Sequence, residues 1–270
     1  MIVLRQEITP DIVKSAARTF QILEYFDVIQ REANVVEISL QLGYPQSSTS
    51  VLLRSLVKLG YLDYNARSRK YVSSIRVALL GSWVNAHCVG EGKILQAMRE
   101  LSQRTGDTIV LAARNNLYAQ YINVIQAINA ARLHIAVGTV RPIASSASGS
   151  VILALLSDEE VSGIVRRVNA ETGDETKRVD PKELLLRLAK VREDGYFFGS
   201  NMVTPGGAMM IAPIPISSGP TQLFLGLAGI AQVMEQNREK LANHLIETIE
   251  MYFGAHPKTV YRSPRTTGKI

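Results

Sequence analysis

From Val13 to Ile29, apolar side chains recur at three- and four-residue intervals, Ala16, Phe20, Leu23 and Phe26 among them. That period is helical, so the segment predicts a helix with one buried stripe. A second short helix is predicted from Val36 to Leu42, stopped at Gly43, whose freedom at positive φ suits a helix end. Pro45 bars its continuation. A third helix then opens on Ser47, Ser48, Thr49 and Ser50 and carries Leu52, Leu53, Leu56 and Leu59 on one face. Ser47, Ser50, Arg54 and Lys58 fall mostly on another. One hydroxyl at a helix start caps an unpaired backbone N–H. Four in a row call for a further use. Gly60 ends the helix, and "YLDY" and "KYV" predict two strands joined by the basic turn "NARSR", a β-wing.

Residues 75–89, "IRVALLGSWVNAHCV", predict a helix between two domains, and residues 91–105 predict another. From Thr108 the period drops to two. "TIVLAAR" and "YAQYINVIQ" predict paired strands that turn at Asn115 and Asn116. Helices follow near 146–156, 158–169 and 181–193, strands near 196–203, 209–216 and 222–230, and a last helix from about Met234 to Phe253. The second half therefore reads as α+β with a largely antiparallel sheet. The predicted units are a winged helix-turn-helix over residues 1–74, a linker helix over 75–90, the α+β domain over 91–254 and a tail over 255–270. That tail, "HPKTVYRSPRTTGKI", is polar, basic and proline-broken, and is expected to be disordered.

Composition bounds this picture without deciding it. A chain of 270 residues is long enough for two cores. The net charge of +6 is compatible with nucleic acid but is weak on its own. The single cysteine, Cys88, excludes an intramolecular disulfide and points to a reducing compartment. The N-terminus lacks an apolar core, and no apolar run approaches a membrane span, so a cytoplasmic protein with no membrane partner is expected. His87, His134, His244 and His256 show no paired metal spacing, and no cofactor is expected. No G-x-S-x-G elbow occurs, and "SLVK" (Ser55 to Lys58) lacks the partner motifs of penicillin-binding enzymes. "SSASGS" reads as a tight helix entry, so the chain is not expected to be an enzyme.

The charge is distributed more tellingly than its total. From Tyr44 to Arg76, Arg54, Lys58, Arg67, Arg69, Lys70 and Arg76 face only Asp63. Small side chains let a helix sit deep in the major groove, where Ser, Gln and Arg bond to base edges or phosphates. Gln46, Ser47, Ser48 and Ser50 are therefore expected near base edges. Arg54, Arg67, Arg69 and Lys70 are expected on phosphates, with Arg18 added from the first helix. The expected partner is double-stranded operator DNA. The competing reading is a stand-alone small-molecule-binding or catalytic module with an incidental helical N-terminus.

The segments "SAARTFQILEYF", "LGYPQSSTSVLLRSLVKLGYL", "RPIA…SGS…LALL", "LAKVREDGY" and "MIAPIP" come in an order and spacing that resemble the IclR family of bacterial transcription regulators. The resemblance runs from about Ser15 to Phe253. It implies an N-terminal winged helix-turn-helix, a C-terminal GAF-like effector-binding domain, and homodimers joined through the N-terminal domains that often pair into homotetramers. Many relatives have arginine at the position of Val51 and lysine at that of Ser150; Arg54, one turn on, is expected to take over the Val51 contact. In relatives that bind small organic acids the pocket is polar. The matching positions here are Leu133, Ala147, Ser148, Gly199, Met209, Gly226 and Ala228, from which most donors and acceptors are gone. A hydrophobic or aromatic organic effector is therefore expected, with a domain that has lost ligand binding and serves only dimerisation as the alternative. Glycine in place of serine is expected to enlarge the pocket.

Overall fold

The computed structural model describes residues 12–80, 92–127, 135–215 and 222–262. The chain divides into two compact units, Met1–Ala86 and His87–Ile270.

In the first unit, α1 (Lys14–Ile29), α2 (Val35–Leu42) and α3 (Gln46–Lys58) precede β1 (Leu62–Asn65) and β2 (Lys70–Ser73). The helices close on Ile22, Tyr25, Phe26, Ile38, Leu42, Leu53 and Leu56, with Leu62 and Tyr71 of the strands completing the core. Local signals set the element ends. The Asn34 side chain caps α2 by accepting from the Glu37 N–H at 2.9 Å, and Gly43 ends it at φ 67°. The antiparallel wing runs in register from Leu62↔Ser73 to Asn65↔Lys70. Ala33 and Tyr71 exchange backbone bonds at 3.0 and 2.8 Å, which ties the α1–α2 loop to the wing.

The stripe read along α1 differs from the buried one. Ile22, Tyr25 and Phe26 face the core, while Ala16 is exposed and Phe20 is 65% exposed. Leu59 is likewise exposed rather than buried with Leu53 and Leu56. Periodicity identifies which residues are apolar, but Ala16 and Phe20 lie on a face that this unit leaves uncovered. The linker helix begins as α4 (Ile75–Leu80); the rest of the predicted helix, with His87 and Cys88, lies outside the described residues.

The second unit is built on a six-stranded antiparallel sheet ordered β5-β4-β3-β8-β7-β6. Its strands are β3 (Thr108–Asn115), β4 (Tyr118–Ile125), β5 (Val140–Pro142), β6 (Phe197–Ser200), β7 (Gly207–Pro213) and β8 (Leu223–Ile230). Side-chain alternation gives the sheet two apolar faces. Ile109, Leu111, Met210, Leu225 and Leu227 face α5 (Lys93–Thr105), α9 (Ala231–Gln236) and α10 (Arg238–Phe253). Val110, Ala112, Met209, Ile211 and Phe224 face α6 (Ala147–Leu153), α7 (Asp158–Glu171) and α8 (Pro181–Asp194). Helices thus cover both sides of the central strands. Ser157 and Glu160 form a capping box at the start of α7, and Asp180 with Pro181 opens α8, so both N-termini follow sequence rules.

All seven residues of α6 are buried. Gly149 makes that approach feasible, because a Cβ there would collide with the Ile143 carbonyl. The predicted final helix is two, α9 and α10, which break at Asn237. The short edge strand β5 carries no periodicity of its own and was not predicted.

The tail departs from expectation. Residues 255–262 are ordered and end in α11 (Thr259–Arg262). Tyr261 packs on the α6 face of the core, where its hydroxyl donates to the Val151 carbonyl at 3.4 Å. An aromatic anchor in a proline-containing segment outweighs the polar composition around it. Residues 263–270 lie outside the described ones.

Candidate nucleic-acid interface and ligand cavity

The α3 helix turns Thr49, Leu53 and Leu56 inward. Gln46, Ser47, Val51, Arg54, Ser55 and Lys58 are exposed on the opposite side, with half-buried Ser50 among them. The N-cap is Pro45, with no side-chain cap, so the hydroxyl run does not cap the helix. Ser48 and Thr49 instead donate back to the Pro45 carbonyl at 3.0 and 3.1 Å, and Ser55 donates to the Val51 carbonyl at 2.9 Å. Ser47 and Ser50 make no such bond among the described residues. The hydroxyl cluster is therefore divided: Ser48 is committed to the backbone, and Ser47 and Ser50 keep free donors beside Gln46. Val51, at the middle of this face, is exposed.

The wing presents Arg67 and Arg69 on an exposed turn. Asn65 shapes it by accepting from the backbone N–H groups of Arg67 and Ser68 at 3.0 and 3.3 Å. Arg69 adopts φ 55°, a left-handed conformation that non-glycine residues enter at a cost of about 1 kcal/mol. Burial raises the Tyr71 phenol, with neighbouring Tyr64 adding to the rise and the Arg54 charge acting against it.

Two predicted contacts have other employment. The Lys70 ammonium is paired with Glu32 at 2.7 Å, so it fastens the wing to the α1–α2 loop rather than standing free. Arg18 is half-buried, with its guanidinium 4.6 Å from the Tyr44 ring centroid and its Nε sealed away without a partner among the described residues. Tyr44 in turn hydrogen-bonds Gln21 of α1. Arg18 therefore buttresses the turn before α3. Sequence position alone could not separate such a support from a contact.

In the second unit, a cavity of about 90 Å³ lies between the sheet and the start of α6. Ala147, Ser148, Gly199, Met209 and Ala228 line it as expected. Leu133, with His134, lies outside the described residues, and Gly226 does not line the cavity. A Cβ at Gly226 would meet the Met210 carbonyl at 2.8 Å and Ile211 Cβ at 2.9 Å. At Gly199 a Cβ would strike the Met202 sulfur. Gly226, the glycine in place of serine, thus allows close packing of the sheet and does not enlarge the cavity.

The wall is also more polar than expected. Tyr121, Arg141, Ser146 and Thr204 line it with Ser148. The Tyr121 hydroxyl and Ser148 Oγ are 3.1 Å apart, and the Arg141 guanidinium lies 5.9 Å from the Tyr121 ring centroid. Arg141 has no carboxylate partner among the described residues. Burial pushes the Tyr121 phenol up, partly offset by the Ser148 bond and the Arg141 charge. The phenol therefore remains a protonated donor at neutral pH. Apolar substitutions on β6 to β8 do not reveal this wall, because Tyr121, Arg141 and Ser146 come from β4, β5 and the turn before α6, and Thr204 from the loop after β6. The period-two pattern of β4 carries the signal for Tyr121: it falls on the same face as Ala119, toward α6.

The architecture defines a class: a winged helix-turn-helix followed by an α+β domain with an antiparallel sheet, the organisation of a DNA-binding regulator. The IclR helix-turn-helix domain matches residues 15–66, and the bacterial transcriptional regulator IclR C-terminal domain matches residues 93–251. The chain belongs to the IclR family and is a DNA-binding transcriptional regulator with a C-terminal effector domain. It is 31% identical to the HTH-type transcriptional regulator KdgR of Escherichia coli K12, over 69% of this chain and 71% of that one. The HTH-type transcriptional regulator XynR of the same organism is 28% identical, over 75% of this chain and 81% of its own length. Among solved structures, the effector domain of the IclR regulator from Acinetobacter sp. ADP1 is similar at 25% identity and TM-score 0.58, covering 63% of this chain and 99% of that one. The Thermotoga maritima IclR structure shares the fold at 20% identity and TM-score 0.59, over 92% and 97% of the two chains. These relatives are transcriptional regulators, so the reading as a stand-alone catalytic module is not favoured. No helix among the described residues is long and apolar enough to cross a membrane.

Proposed function

We propose that this regulator reads its operator as a homodimer, through Gln46, Ser47, Ser50 and Val51 on base edges and Arg54, Arg67 and Arg69 on phosphates. What carries this reading is the continuous outward face of α3, polar and small at its start and cationic along its length, beside a wing turn that offers two arginines. Val51 suits the methyl group of thymine. Dimerisation is supported by the uncovered apolar stripe of α1, Val13 and Phe20 being 68% and 65% exposed. An apolar face of that kind is expected to be buried against a second copy.

The effector we propose is a small organic anion rather than an aromatic hydrophobe. A half-buried arginine with no carboxylate partner among the described residues, beside two hydroxyls, suits a carboxylate. A cavity of about 90 Å³ is also tight for a ring, since a cavity that admits benzene measures about 150 Å³. The test is selection of duplexes from a randomised library by the full chain, with and without small carboxylic acids. A two-fold symmetric consensus, bound less tightly as salt rises, is expected. Enrichment of unsymmetric sites, or no enrichment, would overturn the dimeric readout.

A further inference from the structure

Beside the Arg141 cavity, and sharing Met202 with it, lies a second cavity of about 220 Å³. It is bounded by the Ala144–Ser145 segment, whose next residue, Ser146, lines the first cavity, and by Arg187 of α8. The other charged groups around it are largely engaged. Lys177 is paired with Asp174 at 3.2 Å and Arg178 with Glu175 at 3.1 Å, while Asp180 caps α8 through the Lys182 N–H at 2.8 Å.

Arg187 is different. Among the described residues its Nε is sealed from solvent with no partner, and Nη2 donates to the Ala144 carbonyl at 3.4 Å. Glu183, one turn earlier on α8, also lines this cavity and favours the charge, but no ion pair joins the two among the described residues. Burial is the larger influence and pulls the guanidinium below its usual range. A guanidinium offers five donors and cannot give up its proton in practice, so a half-buried and under-bonded one is stabilised most by an anion. The residue that lines both cavities, Met202, has three rotatable bonds and repacks readily.

We propose that the two cavities form one bipartite site for an elongated effector with an anionic group at each end, one at Arg141 and the other at Arg187, passing the displaced Met202 side chain. This rests on the reading of the Arg141 cavity as an anion site. It also accounts for the small volume of the first cavity, because Met202 lines both compartments.

The experiment is calorimetric titration of the full chain with straight-chain monocarboxylates and α,ω-dicarboxylates from four to eight carbons. One dicarboxylate is expected to bind at least tenfold tighter than the monocarboxylate of equal length. Arg187→Gln should erase that preference and leave monocarboxylate affinity unchanged, Arg187→Lys should restore part of it, and Arg141→Gln should weaken both series. Met202→Ala should tighten the dicarboxylate, and an unchanged melting temperature without ligand confirms that each variant folds. If monocarboxylates bind but the ratio stays near one, or Arg187→Gln leaves it intact, the bipartite site is wrong and the Arg141 reading stands. If no acid of either series binds, both fall.

Discussion

The Tyr121 hydroxyl lies 3.1 Å from Ser148 Oγ, joining the central part of β4 to the first turn of α6. Both groups are buried, and both line the cavity that Arg141 completes. Tyr121→Phe strands the Ser148 hydroxyl without filling or emptying space, so it should lower stability by about 1 kcal/mol. It should also weaken binding of a small carboxylate about five- to tenfold, the worth of one neutral hydrogen bond. Chemical denaturation and calorimetry of the same variant check both. Unchanged carboxylate affinity would remove the phenol from the ligand site while leaving its structural role.

At the DNA face, Arg54 is exposed and makes no bond within its own domain among the described residues. Arg54→Ala should therefore change folding stability by less than about 0.5 kcal/mol. Loss of one phosphate contact should reduce the slope of log affinity against log salt by about 1. Titration of the selected operator at several salt concentrations reads this directly. A variant with lower affinity and an unaltered slope would assign Arg54 to a base edge instead.

Phe20 and Ile22 are two residues apart on α1, yet one is 65% exposed and the other fully buried. Phe20→Asp should leave the melting temperature of the isolated fold nearly unchanged and shift the chain toward monomer. Sedimentation velocity provides the readout. A dimer that persists with Phe20→Asp would place the dimer contact elsewhere.

Those same residues show why the fold was legible and parts of the site were not. Helical and strand periods, Gly43, Pro45 and the Asn115–Asn116 turn reveal the elements because they depend on neighbours in sequence. Whether an apolar stripe faces its own core depends on what else is present, so Ala16 and Phe20 were assigned inward. Arg18 and Lys70 look like DNA contacts by charge, but Tyr44 and Glu32, which occupy them, are distant along the chain. Gly226 and Gly199 suggested room, yet Ile211 and Met202 fill the space that a side chain would take. Tyr121 and Arg141 went unnoticed because the cavity wall is assembled across β4 and β5, a pairing no local pattern encodes.

Alkaline pH should destabilise the second unit through its buried phenols. Burial raises both Tyr121 and Tyr261 above 10, the usual phenol value, so the folded state holds their protons more tightly than the unfolded chain. The stabilising preference is fully present below pH 10 and is lost as pH rises from there through the folded-state values. Melting curves should be flat in this respect through neutrality and fall above pH 10. Tyr261→Phe, which removes one of the two groups and a long 3.4 Å bond, should lessen that fall while changing stability at pH 7 by no more than about 1 kcal/mol. An alkaline fall of equal size in the variant would mean that Tyr261 does not share in it.

Gly149 places the backbone of α6 against the Ile143 carbonyl, where a methyl group has no room. The obstacle is backbone on both sides, so side-chain rotation cannot relieve it. Gly149→Ala should push α6 outward and cost about 1–3 kcal/mol, despite alanine's better helix propensity of about 1 kcal/mol. Because Ala147 and Ser148 are on the same helix, the displacement should also disturb the ligand cavity. The expected signature is a lowered melting temperature together with weaker carboxylate binding. Gly163, on α7 with open space around it, is the control: Gly163→Ala should be neutral or stabilising by up to about 1 kcal/mol. If both alanine variants raise the melting temperature, the contact between α6 and Ile143 is looser than the geometry indicates, and α6 would not be rigid enough to hold the cavity wall.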